Sequence, residues 1–151
     1  MTTSTMERVS KHTSEHVNAR IQIETKDSVV RIAKQGPQAI DRRLQELERE
    51  WDIERVLETN AATAVLVGSA LGAFVDRRFF ALPTVVAGFL LQHALQGWCP
   101  PLPLFRRLGI RTAAEIDQER YALKALRGDF ASAQGHGEKT NAVRALEAAR
   151  R

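Results

Sequence analysis

Cys99, His93 and the pair His12 and His16 are the side chains of this 151-residue chain whose types and spacing invite chemistry. Cys99 is the sole cysteine, so the chain holds no internal disulfide, and it is the sole candidate nucleophile. A thiolate needs a positive neighbourhood or a base, which Arg106, Arg107 or His93 would have to supply across a proline bend. His93 and Cys99 are six residues apart around that bend, so spacing leaves their separation open. A lone cysteine beside an apolar run also serves simply as a small hydrophobe. His12 and His16 stand four apart, as two ligands on one helical face would, but no third ligand follows at a suitable interval. The expectation is a solvated pair and no metal site. Glycine-rich phosphate loops, an ordered Ser-His-Asp set and paired buried carboxylates do not stand out. No catalytic activity and no cofactor is evident, with Cys99 the one residue to watch.

The elements that must position these residues are set by an uneven charge distribution. Residues 1–60 hold ten Lys/Arg and eleven Asp/Glu, residues 61–98 only Asp76, Arg77 and Arg78, and residues 99–151 ten Lys/Arg against six acids. A soluble bundle interleaves charges on the exposed face of every helix, and the central block does not. The formal net charge of +4 suits an anionic surface. No zinc-ligand spacing and no aromatic RNA-binding motif accompany it, so nucleic acid is not an expected partner. The N-terminal stretch "MTTSTMERVSKHTSEH" lacks an apolar core, so no cleavable secretory signal is expected.

Two apolar runs flank the bare Asp76-Arg77-Arg78. Ala61–Val75 has 15 residues, about 22 Å of helix against a hydrocarbon core near 30 Å. Phe79–Trp98 has 20 and is long enough, although Gln92, His93 and Gln96 make its last turns polar. The runs are apolar on all sides rather than on one stripe, and no amphipathic pattern of helical period appears from Ala61 to Val75. Ala64, Gly68 and Gly72 place small residues four apart, and Thr84 and Gly88 do the same in the second run. Glycine destabilises a helix in water by about 1 kcal/mol, whereas in lipid it lets two backbones approach closely. Trp98 falls where an aromatic belt residue ends a span. These features predict a two-helix membrane hairpin, with a homodimer on the Ala64-Gly68-Gly72 face. The marginal lengths and the polar end of the second run keep a buried soluble core as the alternative.

The flanks read as helices. Apolar positions Val17, Ile21, Val29 and Ile32 predict one from about Thr13 to Lys34, ended by Gly36-Pro37. Pro37 then opens a second helix, in which Ile40, Leu44, Leu47 and Trp51 form a narrow seam at i, i+4, i+7 and i+11. That seam fits either a helical protein partner or a fold-back onto the first helix. No breaker separates it from the apolar run, so the helix is expected to continue to Val75. After the second run, Pro100, Pro101 and Pro103 predict an extended exit. Arg106, Arg107 and Arg111 would meet lipid phosphates there, beside Trp98 at the membrane interface. Thr112 and Glu115 open a last helix to about Arg127, stopped by Gly128. It would either lie on anionic lipid or pack on the N-terminal arm. Residues 131–151 read as a flexible tail with a short Ala-rich helix.

Two short apolar helices followed by Gly97-Trp98-Cys99-Pro100 and by Leu108-Gly109-Ile110 resemble the YgaP-like inner-membrane transmembrane domain family of bacteria. The resemblance covers about residues 53–112 and implies a two-helix membrane hairpin able to dimerise, in some members joined to a rhodanese domain that moves sulfane sulfur. The family's Gly and Asp-Arg lead-in is only loosely echoed by Glu54-Arg55 and Asn60. No rhodanese-sized domain or second cysteine is present, so the sulfur chemistry does not carry over.

The sequence therefore predicts an all-α chain, a two-helix transmembrane hairpin with flanking amphipathic helices. It divides into an N-terminal cytoplasmic arm (1–58), the hairpin (59–98), a proline-rich exit with an amphipathic helix (99–130) and a tail (131–151). Seven arginines near the outer ends of the spans, against Arg77 and Arg78 in the turn, place both termini on the cytoplasmic side by the positive-inside tendency, and the resemblance implies that the membrane is a bacterial inner membrane. The expected role is structural or interactive, with the lipid bilayer as first partner. The alternatives are a thiol or sulfur-transfer accessory using Cys99 and a soluble helical adaptor using the N-terminal seam.

Overall fold

The computed structural model describes residues 8–130. Among these there is no strand. The helices are α1 (Arg8–Lys11), α2 (Glu15–Gln35), α3 (Pro37–Arg49), α4 (Ile53–Phe74), α5 (Ala81–Gln96), α6 (Leu102–Arg107) and α7 (Ala113–Arg127), with a 3-10 turn at Arg77–Phe80. The all-helical reading holds, and two of the helical stretches are long and apolar enough to cross a membrane. The expected flexible tail at 131–151 lies outside the described residues.

The local signals for chain breaks work as read. Gly36 has φ +92°, which a side chain would resist, and Pro37 starts α3, where its missing N–H has no intrahelical partner to lose. At the end of α7 the Gly128 N–H bonds the Ala125 carbonyl at 3.1 Å and the Asp129 N–H bonds that of Lys124 at 3.1 Å. With φ +88° at Gly128 this is the double bond pattern of a Schellman stop.

Two expectations about continuity are corrected. The helix expected to run from Pro37 to Val75 breaks at residues 50–52. Glu50 is extended, and the Asp52 carboxylate accepts from the Arg55 backbone N–H at 2.8 Å, which starts a new helix by N-capping. The proline-rich exit is not extended either. After Pro100 and Pro101 the chain forms α6, with Pro103 in its first turn, where no hydrogen-bond donor is missed.

The chain divides into two compact units, each discontinuous in sequence. One unit takes the described residues up to Gln22 together with Trp51–Ala114; the other takes Ile23–Glu50 and the described residues from Glu115. In the first unit, Val9, Ile53, Leu57, Cys99 and Leu102 form a buried cluster with Trp98, Phe105 and Ile110 packed against it.

In the second unit, Ile40, Leu44 and Leu47 of α3 bury against Ile116 and Leu123 of α7, with Val29 and Ile32 of α2 alongside. The seam proposed for an outside partner is thus consumed inside the chain, and only Trp51, beyond the end of α3, stays exposed. Ile116 and Leu123, from the apolar side of α7, are taken up in this cluster, while Tyr121 and Leu126 of the same helix stay exposed. Beneath it lies Glu119, fully buried, accepting from Ser28 Oγ at 2.8 Å and from Arg43 Nε at 2.9 Å. The Glu119 contact is the main reason the Arg43 guanidinium holds its proton even more firmly than usual.

A helical hairpin with a polar collar

α4 and α5 pack antiparallel, joined by the 3-10 turn. Asp76 caps that turn, its carboxylate accepting from the Arg78 N–H at 2.8 Å. The small residues of α4 decide how close the two helices come. A Cβ added at Gly68 would stand 2.7 Å from Pro83 Cδ, and one at Gly72 would stand 2.8 Å from Phe80 Cγ. Both glycines are buried under α5 and the turn that precedes it. This is the close approach the four-residue spacing anticipated, but the occupant of the groove is the chain itself. The Gly68 and Gly72 face is therefore not open to a second copy, which corrects the dimer surface read from sequence.

The inward stripe of α5 is Pro83, Val86, Leu90 and His93, the less exposed positions at steps of three and four. Thr84 and Gly88, expected to mirror the α4 glycines, lie off that stripe. A Cβ at Gly88 would meet nothing within 4 Å, and Thr84 Oγ donates to the Phe80 carbonyl at 3.0 Å. Asn60 Nδ2 and Thr63 Oγ likewise bond the carbonyls of Val56 and Thr59, each at 2.8 Å. These back-bonds satisfy polar groups within their own helix.

The outer faces remain bare. Phe74 is 89% exposed, Leu95 72% and Leu66 71%, and Val67, Val85, Phe89 and Leu91 are exposed as well. Only 17% and 6% of the two most apolar stretches is buried.

At the open end of the hairpin the apolar surface gives way to a collar of long-range polar bonds. Arg8 Nη1 donates to the Ala94 carbonyl at 2.6 Å, serving one of the orphan acceptors at the C-terminus of α5. Arg20 Nη2 serves α6 in the same way through the Arg107 carbonyl at 2.7 Å. The Ile53 N–H, at the start of α4, bonds the Arg111 carbonyl at 2.8 Å. Gly97 ends α5 with φ +75°, and an added Cβ there would stand 2.5 Å from that of Arg8. His93 Nε2 lies 2.7 Å from Glu54 Oε2, tying α5 to α4.

Arg106 is fully buried in this collar, contrary to its expected place among lipid phosphates. Its Nε donates to Thr13 Oγ at 3.2 Å, one terminal nitrogen to Asn18 Oδ1 at 3.0 Å and the other to the Ile110 carbonyl at 3.0 Å. Arg111 is buried too, while Arg107 is exposed. Of the three arginines assigned to the interface, only Arg107 is free to reach it. Trp98, expected as a belt residue, packs on the cluster of Ile53, Leu57 and Leu102.

Cys99 is buried in the same cluster, only 4% exposed. Burial pushes its thiol above the ordinary value, and the nearby Glu54 carboxylate adds to this, against a smaller opposing backbone contact at Leu102. That environment is the reverse of one that makes a nucleophilic thiolate. His12 and His16 are exposed, and among the described residues no three His, Cys, Asp or Glu side chains gather as metal ligands. No protein-family model, curated protein or solved structure matches the chain.

Proposed function

We propose that this chain is a small integral protein of a bacterial inner membrane, with a structural or interaction role. In this reading α4 and α5 cross the bilayer as a hairpin. The observation that carries it is the exposure of apolar side chains around both helices, led by Phe74, Leu95 and Leu66. A soluble protein rarely leaves a contiguous apolar patch larger than a few hundred Å² to water, whereas hydrocarbon accepts it without penalty. The back-bonded Asn60, Thr63 and Thr84 support the same reading, because a polar group in lipid must find its partner within the protein. So does the resemblance to the YgaP-like transmembrane family.

The charge-free part of α4, residues 59–74, is about 24 Å long, somewhat less than a 30 Å hydrocarbon core. Arg77 and Arg78 at the tip are exposed and long enough to reach the far headgroups from a slightly sunken position. Both termini lie on the cytoplasmic side in this reading, where the arginines flanking the open end outnumber the two at the tip.

Alkaline carbonate extraction of membranes from cells expressing the full chain tests the proposal. Retention in the pellet is the expected result. Release into the supernatant would refute it.

A further inference from the structure

A cavity of about 370 Å³ opens between α4, α5 and the Cys99–Phe105 segment. Its walls are almost wholly hydrocarbon, with Ala61 and Ala64 from α4, Val86, Phe89 and Leu90 from α5, and Phe105 from α6. At its border His93 Nε2 is engaged with Glu54 and Asn60 Nδ2 with the Val56 carbonyl, which leaves His93 Nδ1 as a buried nitrogen of a lining residue without a partner. A water held there would need two to four polar partners, more than that single nitrogen supplies. The volume lies within the range of small-ligand pockets. Phe89 belongs both to the wall of the cavity and to the exposed apolar flank of the hairpin. The slot is therefore continuous with the surface assigned above to lipid.

We propose that this slot holds one fatty-acyl chain of a bilayer phospholipid, wedged between the hairpin and α6. The inference rests on the membrane reading of α4 and α5. A chain seated there replaces missing van der Waals partners along Ala61, Ala64 and Phe105, and no hydrogen bond is asked of it. Ala64, one of the residues that sequence spacing assigned to helix packing, then acts as a lipid-chain contact. Its small side chain leaves the slot open.

The test uses the full chain reconstituted in phosphatidylcholine–phosphatidylglycerol vesicles with a trace of phosphatidylcholine bearing a diazirine near the end of one chain. After illumination, adducts are mapped to residues by mass spectrometry. Adducts on Phe105 are expected in addition to those on outward residues such as Leu66 and Leu95. Ala64→Phe fills the slot and should lower the Phe105 yield about tenfold, while Thr63→Phe, on an exposed position outside the slot, should leave it unchanged. Adducts confined to the outward residues of the unsubstituted protein overturn the proposal, whether or not Ala64→Phe folds. Carbonate extraction of the same vesicles separates the two failures. A carbonate-resistant chain without a Phe105 adduct refutes the slot alone, and a released chain refutes the membrane reading together with it.

Discussion

Gly72 lies against the ring of Phe80 so closely that a single added carbon would stand 2.8 Å from Cγ and 2.9 Å from both neighbouring ring carbons. The hairpin is closed at its tip by this contact and, one turn away, by Gly68 on Pro83. Gly72→Ile should therefore weaken the hairpin itself, by about 1–3 kcal/mol as overpacking usually does. Gly88→Ile, where the space is open, should lack that penalty. Unfolding of the detergent-solubilised chain by a denaturing detergent, followed by circular dichroism, separates the two variants. Equal stabilities would mean that α4 and α5 do not meet as described.

Arg106 should behave as a structural residue. Replacing it with Met strips Thr13, Asn18 and the Ile110 carbonyl of a buried donor, and each stranded polar group costs about 1–3 kcal/mol. Arg107→Met, on an exposed side chain, should stay within about 0.5 kcal/mol of the parent. If instead both substitutions chiefly weaken binding to anionic vesicles and leave stability alone, the collar has been misassigned.

Cys99 should be slow to alkylate. Its buried thiol ionises above the ordinary value, so iodoacetamide at neutral pH should modify the folded chain more slowly than free cysteine, and the rate should climb as pH rises. The linkage runs the same way. The folded thiol keeps its proton to a higher pH than the unfolded one, so its contribution to stability is full below the ordinary thiol value and declines as pH rises through that value toward the folded one. Reaction at neutral pH as fast as that of free cysteine would reopen a role in thiol chemistry.

Leu47 and Trp51 lie on one sequence seam but have opposite fates. Leu47 is 1% exposed within the cluster of α3 and α7, whereas Trp51 is 46% exposed, with the Arg55 guanidinium 4.3 Å above its ring. Leu47→Ala should cost about 2–5 kcal/mol, as large-to-small changes in a core do. Trp51→Ala should forfeit little beyond an exposed cation–π contact of about 0.5–1 kcal/mol. Chemical unfolding of the two variants side by side decides it, and the reverse ranking would restore the seam as a surface for a partner.

The sequence by itself determined the features that depend on near neighbours. Helical content, the breaks at Gly36-Pro37 and Gly128, the limits of the two apolar runs and the small-residue spacing of α4 all follow from local sterics and composition. The break at Glu50–Asp52 was not read from the sequence: Asp is a strong N-cap, but the charged helical pattern on either side disguised it.

Only the tertiary structure decided which partner each face and each charge would find. Gly68 and Gly72 announce a close approach, yet nothing in their spacing says whether the second helix belongs to this chain or to another. Arg106 reads like its neighbour Arg107, but its partners Thr13 and Asn18 lie 93 and 88 positions away and are brought to it by folding. Glu119 looks like one more surface acid until Ser28, 91 positions earlier, closes over it. Periodicity encodes that a side chain faces inward; hydrogen-bond partners dozens of residues distant are fixed by packing, where leaving a buried polar group unmatched costs more than any local preference can repay.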